Sequence, residues 1–173
     1  FNLYDTLELM GLAAVALTAL PGSRDALAGA ARYLFVSLLG SLAYLLGVAL
    51  LYHAFGSLDI AVLAERLRPV PAAWVALGLM SAGLLLKTAL FPLHFWLPPA
   101  HSSAPSPVSA VLSALVIKAS LYILLRLWIM LFGPFAGDGV AAFLGLLGVA
   151  AILWGSVQAL RQTRLKLLGA YST

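Results

Sequence analysis

The sequence predicts an all-α fold, a polytopic transmembrane helix bundle, and three observations predict it. Hydrophobic residues make up 63% of the 173, charged residues only 9%, and the mean hydropathy is +1.05; an average soluble domain carries roughly 25% charged residues. Apolar runs of about 20 residues, the length that crosses a bilayer, recur along the chain. Short stretches rich in Gly, Pro and charge separate them.

Taken in order, the apolar runs place spanning helices over 3–20, 28–55, 72–97, 108–132 and 140–160, with a sixth beginning near 165 and cut short. PGSRD at 21–25 has turn chemistry, and GPFAGDG at 133–139 is expected to break the chain between two crossings. The longer connection, GSLDIAVLAERLRPVP at 56–71, sets Leu58, Ile60, Leu63 and Leu67 near helical spacing beside Asp59, Glu65, Arg66 and Arg68. That pattern suits a short helix lying on the membrane surface or a solvated loop helix. Residues 1–173 read as a single transmembrane domain with no internal repeat. Because the chain opens on Phe1 and closes on AYST, it is expected to be a piece of a larger subunit.

The net charge of +4 comes from basic residues scattered singly or in small loop groups, without a stripe or interleaved aromatics, which excludes a nucleic-acid partner. With five alternating crossings, Arg24, Arg32, Arg161, Arg164 and Lys166 fall on one side, and the loops opposite hold Arg66 and Arg68. The richer side is expected to be cytoplasmic. The absence of cysteine excludes disulfides, thiolate catalysis and cysteine-ligated metal. His53, His94 and His101 lack the spacing of a helical metal pair, so no metal site is expected.

Asp5, Glu8, Lys87, Lys118, Arg126 and His94 lie inside predicted crossings. A charge near the bilayer centre costs about 2.5 to 3.5 kcal/mol on insertion scales, so it persists where it faces a cavity or a partner. Lys87 and Lys118 sit near mid-membrane, and Glu8 is the available countercharge, three residues after Asp5 on the same face. A carboxylate beside a buried lysine holds the ammonium form, so moving either partner changes the lysine's proton affinity, which is the physics of a proton relay. The plain alternative is a salt bridge that only fixes helix packing.

His94 and His101 follow Lys87 at intervals of seven, near one helical face, and histidine exchanges protons near neutral pH. Pro92 removes a backbone donor, and Pro98 with Pro99 ends the segment, so a broken helix is expected around Pro92. Freed backbone at that depth exposes dipoles and admits water, a recurring device of ion-translocating proteins. Tyr122 and Arg126 share a face with Lys118.

The stretch KTALFPLHFWLPPAHSSAPSPVSAVLSALVIKASLYILLRL resembles the proton-translocating, antiporter-like membrane subunits of respiratory complex I, of membrane-bound hydrogenases and of multisubunit sodium/proton antiporters. The family pattern is a lysine, PLHxWLPxAH, SAPSPVSA and a second lysine. Here these are Lys87, Pro92 to His101, Ser103 with Ala104 to Ala110, and Lys118, with FNLYDTLELM similar to the family's glutamate helix and LKLLGAYST to its LKxLLAYSS turn. Pro99 stands where many members have aspartate, and Asp5 is an additional acid near Glu8.

The resemblance covers essentially the whole chain and implies a segment from about the fifth to the start of the tenth helix of a larger subunit. It implies proton, or coupled sodium/proton, translocation through Glu8, Lys87 and Lys118, with His94, His101 and Arg126 secondary. It also implies a complex I-like (NADH-quinone oxidoreductase), hydrogenase-linked or antiporter assembly in a prokaryotic inner membrane, whose other membrane subunits and lipid bilayer are the partners. No flavin, haem, iron-sulfur or nicotinamide motif occurs, so no cofactor and no redox catalysis are expected in this chain. Two competing expectations are a structural membrane anchor without its own ion path, and a carrier in which Lys87 binds an organic anion.

Overall fold

A computed structural model describes residues 2–172. Helix α1 spans Asn2–Ala19 and α2 spans Arg24–Phe55, begun by the Ser23 side chain, which accepts from the Ala26 N–H, and ended by left-handed Gly56 (φ 70°). Short α3, Ile60–Arg66, is capped by Asp59, whose carboxylate accepts from the N–H groups of Ala61 and Val62. Its Leu63 is buried in the core and Ile60 packs against the same cluster, so the expected connecting helix exists and is anchored by its apolar side chains. Helix α4, Pro71–Lys87, opens on a proline, which suits the first helical turn.

Beyond α4 the chain forms a 3₁₀ turn at Leu93–Trp96, then α5, Leu97–Ser103, and α6, Ser106–Phe132, which contains π turns at Leu112–Val116 and Trp128–Phe132. Helix α7, Gly133–Leu160, and α8, Leu165–Ser172, complete the described chain. The fold is the expected all-helical bundle. Its core lies where α1, α2, α4 and α6 meet, from Leu7, Tyr44 and Leu84 at one end to Val36, Trp96 and Leu112 at the other.

Three helices among the described residues are long and apolar enough to cross a membrane: α2, α6 and α7. The other two expected crossings are present as helices but fall short of that standard. Asn2, Asp5 and Glu8 dilute the apolar character of α1, and α4 stops after 17 residues.

Two boundaries differ from the sequence expectation. The run over 72–97 is the broken helix expected around Pro92, but the break begins earlier, because α4 already ends at Lys87. In a continued helix the Pro92 ring would collide with the carbonyl of Thr88, and Phe91, preceding a proline, disfavours helical backbone. The chain instead passes Ala89 at φ 54° and a cis Phe91–Pro92 bond. The second difference is at 133–139, where helix continues from Gly133 with a kink at Gly137 (φ 74°, ψ 172°) in place of the expected loop. Pro134 is tolerated because it falls at a helix start, and only the left-handed glycine interrupts the backbone.

Candidate functional site

The site is built where α2 and α4 come closer than ordinary side chains allow. A Cβ added to Gly83 would lie 2.4 Å from the Gly40 carbonyl oxygen, and one added to Gly40 would lie 2.8 Å from the Gly83 oxygen and 3.2 Å from Lys87 Cγ. Small residues of this kind let helices in lipid approach to backbone contact. The Lys87 stem therefore lies along α2 at the end of α4, where the helix dipole favours a cation.

Helix α1 brings Glu8 to that position. Lys87 Nζ stands 3.3 Å from Glu8 Oε2 and donates to it, with the side chains 7% and 17% exposed. The Ser41 hydroxyl on α2 donates to the same oxygen. One carboxylate oxygen thus receives both a charged and a neutral donor in a low-dielectric setting, where breaking such a pair typically costs about 3–5 kcal/mol. Asp5, one turn earlier, is exposed and belongs to no such pair among the described residues.

The helix break is held by side chains. Thr88 Oγ1 donates to the Leu84 carbonyl (2.6 Å), the Leu90 N–H to Leu85 (3.2 Å), and the fully buried Trp96 Nε1 to Leu86 (3.0 Å). The Leu84, Leu85 and Leu86 carbonyls at the end of α4 are thus satisfied within the protein, as the membrane interior requires. Trp96 also stacks on Tyr33 of α2, with ring centroids 4.5 Å apart and planes 10° from parallel.

The remaining predicted residues are dispersed. The helical-face relation between Lys87 and His94 does not exist, because the helix ends between them; His94 lies in the 3₁₀ turn, and its Nε2 accepts from Trp154 Nε1 on α7 (3.0 Å). His101 is 2% exposed and pairs through Nδ1 with Ser109 Oγ (2.5 Å). Lys118, Tyr122 and Arg126 share one exposed stripe of α6, as their spacing implies, so Lys118 does not join the Glu8–Lys87 pair. Lys118 and the buried Ser120 differ by two residues, or roughly 200° around the helix. Ser41, Tyr33 and Trp96 were not singled out in the sequence. The signal for the α2 pair was the sequence Tyr33, Ser37, Gly40, Ser41, Tyr44, in which small and polar residues recur every three or four positions within an apolar span.

The family described as NADH:quinone oxidoreductase/Mrp antiporter, TM, matches residues 1–173. The chain belongs to this transmembrane family. NADH-quinone oxidoreductase subunit N of Desulforudis audaxviator (strain MP104C) is 45% identical over 179 residues, a match that covers 100% of the chain and 35% of that protein. Among solved structures, the membrane-bound sulfane sulfur reductase, an archaeal respiratory membrane complex, contains a chain that matches with a TM-score of 0.92 and 33% identity, covering 99% of this chain and 36% of that one. The Mrp complex from Dietzia sp. DQ12-45-1b matches with a TM-score of 0.86 and 30% identity, over 99% of this chain and 32% of that one. The chain thus spans about a third of the length of these relatives. These relatives are chains of multi-subunit membrane complexes, and the protein is an integral membrane member of the same family.

Proposed function

We propose that this chain forms part of a proton path in a complex I-like, hydrogenase-linked or Mrp-like assembly of a prokaryotic membrane, with the Glu8–Lys87 pair as its switch. The carrying observation is a lysine 7% exposed, ion-paired at 3.3 Å, at the end of a helix that stops mid-bundle. While Glu8 is close, its charge holds Lys87 as an ammonium. When a neighbouring subunit or an ion gradient draws Glu8 away, that stabilisation falls and Lys87 releases its proton towards α6, the helix that carries Lys118. Return of Glu8 resets the lysine. The broken segment supports this reading because its backbone is held by side chains that permit rearrangement without unravelling a continuous helix. His94, His101 and Arg126 act secondarily, and sodium is the coupled ion where the assembly is an antiporter.

The test is Lys87→Ala in the full-length protein within its assembled complex. Proton or antiport activity in vesicles is expected to be nearly abolished while the complex still assembles. Wild-type transport by the assembled variant would refute the relay. Combining Glu8→Gln with Lys87→Met addresses the packing-only alternative: recovery of both assembly and transport by the double variant would identify the charges as packing devices.

A further inference from the structure

On the α6 side of Lys87 lies a small cavity, with ≈ 10 Å³ of space for a water's centre. This is about what one buried water requires, roughly 10–15 Å³ with two to four polar partners. Tyr33 and Ser37 from α2, Lys87 from α4 and Ser120 from α6 line it. Tyr33 is 2% exposed, yet its hydroxyl has no hydrogen-bond partner among the described residues. A buried hydroxyl left unsatisfied costs about 1–3 kcal/mol, so its place on this wall needs an explanation. Ser120, 1% exposed, donates to the Val116 carbonyl (3.1 Å) and keeps its oxygen as an acceptor.

Two further features preserve the space. A Cβ at Gly11 would stand 3.1 Å from Ser37 Oγ and 4.0 Å from Lys87 Nζ, so a side chain there would crowd it. The stack on Trp96, itself hydrogen-bonded to the Leu86 carbonyl beside Lys87, fixes the Tyr33 ring. The charged group on the cavity wall is Lys87, backed by Glu8 from α1, whereas α2 and α6 present hydroxyls.

We propose that Tyr33 is a positioning residue for proton transfer, whose hydroxyl, with Ser37 and Ser120, holds a water against Lys87 Nζ as the first acceptor of the lysine's proton. The inference rests on the relay proposed above. On transfer an N–H bond of the ammonium breaks and its electron pair stays on nitrogen. The water oxygen gains that proton and passes one on towards α6, along the wall that carries Ser120.

The test uses Tyr33→Phe and Gly11→Ala in the full-length, assembled complex. Phenylalanine keeps the stack on Trp96 and removes only the hydroxyl; alanine puts a methyl into the water's space and favours helix. Each variant is expected to assemble, to transport about three- to tenfold more slowly, and to show a larger solvent deuterium isotope effect than wild type, because transfer from Lys87 becomes limiting. A merely structural tyrosine would leave the isotope effect unchanged. Wild-type rate and isotope effect in either assembled variant overturn the proposal. Lys87→Ala, measured alongside, separates that result from failure of the relay: an inactive Lys87→Ala with a normal Tyr33→Phe removes the water site and leaves the relay standing.

Discussion

Among individual residues, the pair at the centre was legible because its cost was legible. A lysine and a glutamate within apolar runs are expensive enough to demand each other, and Lys87 and Glu8 do meet. Their hydroxyl neighbours were not legible, since serine and tyrosine are cheap in membrane helices and betray a role only through spacing. Ser41 illustrates the consequence. Its hydroxyl donates to the Glu8 oxygen that also receives Lys87, and hydrogen bonds to charged groups contribute about 1.5–3 kcal/mol. Ser41→Ala is therefore expected to lower the stability of the detergent-solubilised protein by an amount in that range and to slow transport without abolishing it. An unchanged melting curve together with an unchanged rate would show that Ser41 contributes nothing to the pair.

The individual helices were legible in kind and less so in their limits. Hydropathy located all five major segments, yet placed the end of the third near 97 when α4 stops at Lys87. Hydropathy records whether a segment tolerates lipid. It does not record where proline sterics, acting four residues back, remove the helix. Nor does it reveal which face of α2 receives α4, a choice set by glycines. Gly83 faces the Gly40 carbonyl at a distance no side chain fits, whereas a Cβ at Gly78, on the same helix, meets nothing within 4 Å. Gly83→Ala is expected to force α4 away from α2, destabilising the protein by about 1–3 kcal/mol, as overpacking does. Gly78→Ala is expected to be neutral or slightly stabilising. Equal melting temperatures for the two variants would contradict the close approach.

At the scale of the whole molecule, the fold sorts its charges between two ends. Gly29 of α2 abuts Ser103 and Pro99 at α5, and Lys166 Nζ donates to the Ala104 carbonyl just beyond α5 (2.8 Å). The start of α2, with Arg24, therefore shares an end with Arg161, Arg164 and Lys166 around α8. At the opposite end α3 packs against the last turn of α6, bringing Arg66 and Arg68 with it. The excess of Lys and Arg at the first end predicts that this end faces the cytoplasm. Because this region contains no cysteine, single cysteines report on orientation without background once the rest of the full-length protein is made cysteine-free. Ser23→Cys and Gln162→Cys are expected to react with an impermeant maleimide only in inverted vesicles, and Ser57→Cys only in intact spheroplasts. Labelling of Ser23→Cys and Ser57→Cys from the same side would break the alternation of α1, α2 and α4. Labelling of each from the opposite side would keep the bundle and reverse its orientation.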